Sequence, residues 1–359
     1  MSTRPIRVLV VDDSLTVRKY IVDILDAAPG IEVVAEAGDG KDAIELCRTL
    51  RPDVVTMDMM LPVMTGVAAT EYIMAYCPTP ILIVSASFNR GELFKTYDAL
   101  AAGAVDVLDK PVGYERDAEW EDRLVAAVRV VSRVQVITHP RARLRRIGQP
   151  GAPGLSGKGV EATTRPRLVA IGASTGGPGA LLTILSALPE DFPLPILIVL
   201  HISEPFGVAV AEWLDAQQSL PVRCARDGDA LPPPGRPTVL MAPADRHMEI
   251  LGGLVRITAG PPLHSCRPSV DVLFASLARE LGPQTIACLL TGMGRDGADG
   301  LLSIKTAGGL TLVQDEASSI VYGMPGEAVK IGAHTRIVPL GDFGALLRQA
   351  ASRKEERRR

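Results

Sequence analysis

Residues 171–177 read Ile-Gly-Ala-Ser-Thr-Gly-Gly, and the fold of the second half of the chain turns on them. The apolar run Leu168 to Ile171 leads in, Gly172, Gly176 and Gly177 crowd the middle, and a helical pattern from Pro178 to Leu188 leads out. This is the pattern of a buried strand, a tight glycine turn and a helix start. Such a turn lifts the Ser174 hydroxyl above the sheet edge and points backbone N–H groups at whatever binds there. That suits a nucleophile, and it suits a phosphate equally.

Outward from this stretch, residues 167–349 alternate strands and helices. Apolar runs predict strands at Leu168 to Ile171, Ile196 to Leu200, Thr238 to Met241, Thr285 to Leu290, Leu310 to Val313 and Arg336 to Val338, with a hairpin from Met248 to Ile257 turning at Gly252-Gly253. The result is an α/β domain with a mainly parallel sheet, whose chemistry is carried by the loops after the strands. His201 directly follows PILIVL, and Asp296 lies in TGMGRDGADG after IACLL. Ser174, His201 and Asp296 would therefore meet at one edge if their strands are neighbours, as nucleophile, base and orienting acid. The pattern G-x-S-x-G alone is weak.

The order Ser, His, Asp departs from the Ser, acid, His order of α/β-hydrolases, which argues against an ordinary lipase or esterase. A dinucleotide site on Gly172 to Gly177 would want an acid at the end of the next strand, where His201 stands. Each residue also has a plain reading: Ser174 as a turn or cap, His201 as a packed strand-end histidine, Asp296 as the cap of a helix through Leu301 and Leu302. Their joint placement at strand ends favours the site. His139, His247, His264 and His334 show no comparable pairing and read as surface or packing residues.

Residues 1–132 form a second alternation, with strands at Ile6 to Val11, Ile31 to Ala35, Val54 to Met57, Ile81 to Val84 and Val105 to Leu108. The chain is thus read as two doubly wound parallel-sheet α/β domains, the first with five strands and five helices. Asp12 and Asp13 end its first strand, Asp58 the third and Ser85 the fourth, and Lys110 follows the fifth. Three carboxylates at one edge repel one another unless a cation sits among them, and hard oxygen ligands suit Mg2+. Helix capping is the plain alternative for each aspartate. The added hydroxyl and lysine complete a site able to bind a phosphoryl group on a carboxylate.

Residues 133–166 lose apolar periodicity and gather Pro, Gly and Arg, which reads as a mobile linker rather than a nucleic-acid patch. Residues 350–359 read as a charged tail. The 359 residues, 47% hydrophobic and 22% charged, suit two soluble globular domains, and a net charge of -3 gives no general attraction to nucleic acid or membranes. Five cysteines without a CxxC pair read as reduced thiols and argue against a zinc site. No stretch reads as a signal peptide or membrane span, so a cytoplasmic protein without membrane insertion is expected.

The first domain resembles the receiver domain of two-component response regulators. The segments IGASTGGPGAL, PILIVLHI, LMAPADRHMEI, CRPSVDVLFASLA, LLTGMGRDGADGL and GGLTLVQDEASSIVYGMPGEA resemble the catalytic domain of the chemotaxis methylesterase CheB. The resemblance implies hydrolysis of glutamate methyl esters on chemoreceptors with release of methanol, and deamidation of receptor glutamines, by Ser174, His201 and Asp296 without a cofactor. Backbone N–H groups near Thr175 and Met293, in glycine-rich loops, are candidates for the oxyanion hole. On the receiver side it implies that a histidine kinase phosphorylates Asp58, with Asp12, Asp13 and the Met60 carbonyl arranging Mg2+. Ser85 and Lys110 would contact the phosphoryl group, the Lys110–Pro111 bond would be cis, and phosphorylation would activate the hydrolase. Four residues depart from the family pattern: Thr65, Val107, Ile202 and Cys266. The last two are expected to alter the substrate groove without touching the catalytic residues. A phosphorylation-controlled docking module is the non-enzymatic alternative.

Overall fold

The computed structural model describes residues 4–86, 90–110, 117–134, 136, 164–202 and 206–352. They belong to two compact units, Met1–Ala152 and Pro153–Arg359. Most of the expected linker and residues 353–359 of the expected tail lie outside the described residues, while Ala350 and Ala351 are the end of a helix.

In the first unit, strands β1 (Ile6–Val11), β2 (Ile31–Ala37), β3 (Val54–Met57), β4 (Ile81–Ser85) and β5 (Asp106–Asp109) pair in parallel in the order β2-β1-β3-β4-β5. Helices α1 (Leu15–Ala27), α2 (Gly40–Leu50), α3 (Gly66–Tyr76), α4 (Arg90–Ala101) and α5 (Ala118–Val131) connect them. Continuous apolar runs such as Val8 to Val11 are buried because helices cover both faces of a parallel sheet. Strand order reverses between β1 and β3, where α/β sheets open a crevice at their carboxyl ends. Val11 pairs with Met57, so Asp12 and Asp58 emerge side by side.

In the second unit, β6 (Leu168–Ala173), β7 (Ile196–Leu200), β8 (Val222–Cys224), β9 (Val239–Met241), β12 (Thr285–Leu289), β13 (Leu310–Gln314) and β14 (Arg336–Val338) form a parallel sheet in the order β14-β13-β12-β6-β7-β9-β8. A hairpin of β10 (His247–Leu251) and β11 (Leu254–Thr258) stands apart, with Gly252 and Gly253 at φ 59° and 75° as a two-residue turn requires. Helices α6 (Gly177–Ser186), α7 (Phe206–Gln217), α8 (Val270–Glu280), α9 (Ala298–Thr306), α10 (Met324–Lys330) and α11 (Phe343–Ala351) complete it.

Helices α8 and α9 pack Leu273, Phe274, Leu277, Leu301 and Ile304 into one buried cluster with Ala287 and Leu289 of β12. Each such leucine or phenylalanine stabilises the fold by roughly 1.5–3 kcal/mol. Gly300 permits the approach, since a Cβ there would lie 2.7 Å from the Cβ of Phe274. Strand β8 was not expected: it has three residues, and the exposed Arg223 in the middle leaves no apolar run to read.

Candidate functional site

Strand register assembles the first site. Ala173 pairs with Leu200, and Gly172 with Leu289, so the residues after β6, β7 and β12 leave the sheet at one edge. The Ser174 N–H donates to Thr291 O at 3.0 Å, and the His201 N–H to Ala173 O at 3.0 Å. Gly176 takes φ 77° before α6, a left-handed conformation that glycine adopts without strain. Gly292 lies against the serine: a Cβ there would come within 2.7 Å of Ser174 Cβ and 2.3 Å of Met324 Sδ. Ser174 itself is half-buried.

Asp296 is buried and does not cap α9, which follows Gly297 with no side-chain cap. It sits instead on the N-terminus of α8. Its Oδ1 accepts from Ser269 Oγ at 2.7 Å and from the Asp271 N–H at 3.2 Å, and its Oδ2 from the Val270 N–H at 2.6 Å. The positive end of a helix and its unpaired N–H groups make such a place favourable for an anion. Burial opposes the charge, but the bonds from His201, Ser269 and Val270 outweigh it and hold the carboxyl below the usual range.

His201 Nε2 lies 2.8 Å from Asp296 Oδ2, and the side chain is 12% exposed. With Nε2 committed to the acid, Nδ1 is the nitrogen left to move a proton. Burial disfavours charge on the ring, yet the bond to Asp296 and the Cys266 sulfur together push its pKa up to about 9. Cys266 corrects the reading of the sequence. Its Sγ lies 3.6 Å from His201 Nδ1, so this residue does touch the histidine. A reverse turn brings it there: Leu263 and Cys266 exchange backbone hydrogen bonds of 3.1 and 2.8 Å, with His264 and Ser265 at φ 51° and 61°.

Thr175 follows Ser174 in the chain, and Met293 follows Gly292, which lies against Ser174. Thr291 Oγ1 donates to Thr175 O at 3.0 Å, and Gly292 O accepts from Gly323 at 3.1 Å and Met324 at 2.9 Å, which pins the loop carrying the exposed Met293. His247 packs as expected: Nε2 lies 3.1 Å from Pro261 O, and Nδ1 accepts from the Ser269 N–H at 3.2 Å. His264, expected to be a surface or packing residue without a pairing, stands 3.3 Å from Asp271. His334 is half-buried, and His139 lies outside the described residues.

The second site lies in the first unit. Asp12, Asp13 and Asp58 bring one oxygen each within 4.8 Å of one another, Asp12 and Asp58 buried and Asp13 exposed. Lys110 Nζ stands 2.8 Å from Asp12 Oδ2 and 3.1 Å from Asp58 Oδ2. Burial raises the Asp12 pKa against the pull of Lys110, and Asp58 adds to the rise. The same carboxylates raise that of Lys110 although burial works the other way. One ammonium among three carboxylates leaves negative charge uncompensated, and the all-oxygen donor set fits a hard dication.

Asp58 Oδ1 accepts from the Met59 N–H at 2.8 Å, and Lys110 N–H donates to Ser85 O at 3.0 Å, which ties the lysine to the end of β4. Met60 is exposed two residues past Asp58. None of the three aspartates caps a helix. Ser14, Asp39, Thr65 and Asp117 cap α1, α2, α3 and α5. Pro111 lies outside the described residues, and with it the expected cis bond.

Residues 169–347 match the family described as CheB methylesterase, and residues 8–118 match the response regulator receiver domain. Across 98% of its length and 98% of the relative's, the chain is 43% identical to the protein-glutamate methylesterase/protein-glutamine glutaminase of Nitrosospira multiformis. The chain belongs to the CheB methylesterase family. A relative of the same description, numbered 2, from Anaeromyxobacter dehalogenans is 44% identical over 96% of this chain and 97% of its own. The crystal structure of the Thermotoga maritima CheB methylesterase catalytic domain is 33% identical and covers 52% of this chain and 99% of that one, with a TM-score of 0.49.

Against the CheB pattern, the four departures now have places. Thr65 Oγ1 accepts from the Ala68 N–H at 3.3 Å, the capping task an aspartate also performs. Val107 is half-buried in β5, Ile202 half-buried after His201, and Cys266 beside the His201 ring. Ser269 is the site residue that sequence reading missed, and for Cys266, expected only to alter the groove, it missed the contact with His201. The signal for Ser269 was present in Ser-Val-Asp before an amphipathic run, a helix N-terminus able to receive an anion.

Proposed function

We propose that this CheB-family chain hydrolyses methyl esters of glutamate side chains on chemoreceptors, yielding glutamate and methanol, and deamidates receptor glutamines, with phosphorylation of Asp58 raising the rate. The observation that carries the reading is the 2.8 Å contact of His201 Nε2 with Asp296 at the strand edge where Ser174 emerges. The names of the curated relatives support the substrate class.

In this reading Ser174 Oγ attacks the ester carbonyl while His201 Nδ1 takes its proton, and Asp296 steadies the imidazolium that forms. Backbone N–H groups near Thr175 and Met293 receive the oxyanion. His201 then gives the proton to the departing methoxide, which leaves as methanol, or to the amide nitrogen of a glutamine substrate, which leaves as ammonia. A water, deprotonated by the same nitrogen, cleaves the acyl-serine ester and restores Ser174.

On the receiver, a histidine kinase serves as phosphodonor. Asp12, Asp13, Asp58 and the Met60 carbonyl would hold Mg2+, which when bound offsets the charge of the carboxylates and of the arriving phosphoryl group. Ser85 Oγ and Lys110 Nζ receive its oxygens. Free thiols at all five cysteines suit a reducing, cytoplasmic setting. Among the described residues no helix is long and apolar enough to cross a membrane.

The test is methanol release from methyl-labelled receptor membranes, with labelling by a serine-reactive fluorophosphonate. Ser174→Ala should lose the label and leave only the residual of roughly 10^3–10^4 over water that binding and the oxyanion hole supply. Unchanged release by a folded Ser174→Ala would overturn the assignment, and release without dependence on Asp58 phosphorylation would overturn the control.

A further inference from the structure

An open cavity of about 690 Å3 runs beside α8 and the β10–β11 hairpin. On its wall His264, Asp271 and Asp299 bring one donor atom each within 4.8 Å of one another. The three side chains take no part in the sites described above, although the Asp271 backbone N–H donates to Asp296.

Asp271 projects from the first turn of α8 and is 5% exposed. Its Oδ1 accepts from the Gly300 N–H at 2.6 Å, while its Oδ2 makes no hydrogen bond. His264 Nε2 stands 3.3 Å from that oxygen without the alignment of one. A buried carboxylate oxygen left in this state is costly. Burial pushes the Asp271 pKa up to about 6 in spite of the Gly300 and Gly297 backbone N–H groups, with Asp296 adding to the rise.

The His264 imidazole is brought to this oxygen by the Leu263–Cys266 turn, at a left-handed φ of 51° that a side-chain-bearing residue seldom adopts. Asp299, in the first turn of α9, adds a half-exposed second carboxylate, of which Oδ2 takes the Arg295 guanidinium at 2.7 Å.

We propose that His264, Asp271 and Asp299 form a binding site for one divalent cation of the zinc class. An imidazole with two carboxylates is a donor set for zinc, whereas magnesium prefers oxygen throughout. Three protein ligands on the wall of an open cavity leave a fourth position for water. The neighbouring groups do not compete for the role. His247 is held by Pro261 O and the Ser269 N–H, and Arg279 lies 4.0 Å from Glu249. Cysteine spacing speaks only against a thiolate zinc site, and no cysteine takes part here.

The test uses the full chain, stripped with a chelator and dialysed against Zn2+ or Co2+ in the presence of millimolar Mg2+ to fill the receiver site. One Zn2+ per chain should be retained, and Co2+ should show the visible absorption of a nitrogen- and oxygen-ligated ion of low coordination number. His264→Asn keeps a side chain that tolerates the left-handed turn. It and Asp299→Asn should each weaken Zn2+ binding by at least about 10–100-fold, the scale of outer-shell changes alone. Cys266→Ser, which removes the sulfur beside His201, should leave binding unchanged. Thermal melting in the absence of metal reports whether each variant is folded. Failure to retain Zn2+, retention undiminished in both folded variants, or loss of binding with Cys266→Ser would each overturn the proposal.

Discussion

Asp296→Asn, followed through the pH profile of ester hydrolysis, isolates what the acid does for His201. In the wild-type chain the contact of 2.8 Å between Nε2 and Oδ2, with the nearby sulfur, raises the ring from the ordinary 6.5 to about 9. At about 1.4 kcal/mol for each tenfold change in the equilibrium, this corresponds to roughly 3 kcal/mol in favour of the imidazolium. At pH 7 only about one ring in a hundred is then neutral and able to take the Ser174 proton. The wild-type kcat/KM should climb close to tenfold per pH unit from about pH 7 and level off above about pH 9. Because the folded-state pKa is raised, the same contact stabilises the fold fully below about pH 6.5, and that stabilisation is lost as the pH rises through about 9.

Replacing the carboxylate by an amide removes the counter-charge and leaves burial opposed only by the Cys266 sulfur, so the ring pKa should fall well below about 9. The amide N–H also donates to Nε2 and places the proton on Nδ1, the wrong tautomer for a base. The plateau should drop by roughly 10^4 while the midpoint moves down by at least about one pH unit. Methanol release measured from about pH 6 to about pH 10, with nitrogen-15 NMR of the His201 ring, reads both quantities. A wild-type profile flat between about pH 7 and about pH 9, or a variant that keeps the wild-type midpoint, would refute the reasoning.

Asp58→Asn should abolish labelling by a small phosphodonor, and chelation of Mg2+ should do the same to the wild-type chain; labelling that survives either would move the site or remove the metal. Ser269→Ala removes the 2.7 Å bond to Asp296 and the cap of α8 together. It should cost about 2–4 kcal/mol in urea unfolding of the second unit, and a loss below about 0.5 kcal/mol would deny the bond its weight. Gly292→Ala would drive a methyl group against buried Met324 and Ser174 Cβ, lowering stability by about 1–3 kcal/mol and hydrolysis at least tenfold. Phosphoryl uptake at Asp58 should stay unchanged in that variant, and normal hydrolysis would show that the loop can yield.

The parallel strands were legible because burial on both faces writes them as unbroken apolar runs, and the residue after each run marks the carboxyl edge. That rule placed Ser174, His201 and Asp296 near one another, and Asp12, Asp58 and Lys110 likewise. It could not say what holds Asp296. The helix nearest in sequence, α9, was the obvious candidate, but α8 presents Ser269 and two backbone N–H groups to the acid, and the packing of α8 on α9 decides the matter. Cys266 and His264 were missed for a related reason. Their places depend on a reverse turn built from residues that do not advertise left-handed backbone, so neither contact is written in local sequence.

The sheet order β12-β6-β7 has a further consequence for how such an enzyme can vary. The three candidate catalytic residues leave adjacent strands, and adjacent strands stand about 4.8 Å apart whatever side chains they carry. Between His201 and Asp296 the chain makes a long excursion through β8, β9, the hairpin and α8 before it returns to β12. Insertions or deletions on that excursion leave the interstrand separation untouched, because it belongs to backbone pairing. They act on the site through the Leu263–Cys266 turn, which sets Cys266 beside His201, and through the start of α8, which must come back to the carboxylate. The excursion can therefore change in length and shape with two mechanical tolerances to respect: the first turn of α8 has to return within hydrogen-bond reach of Asp296, and the 263–266 turn has to return beside the His201 ring.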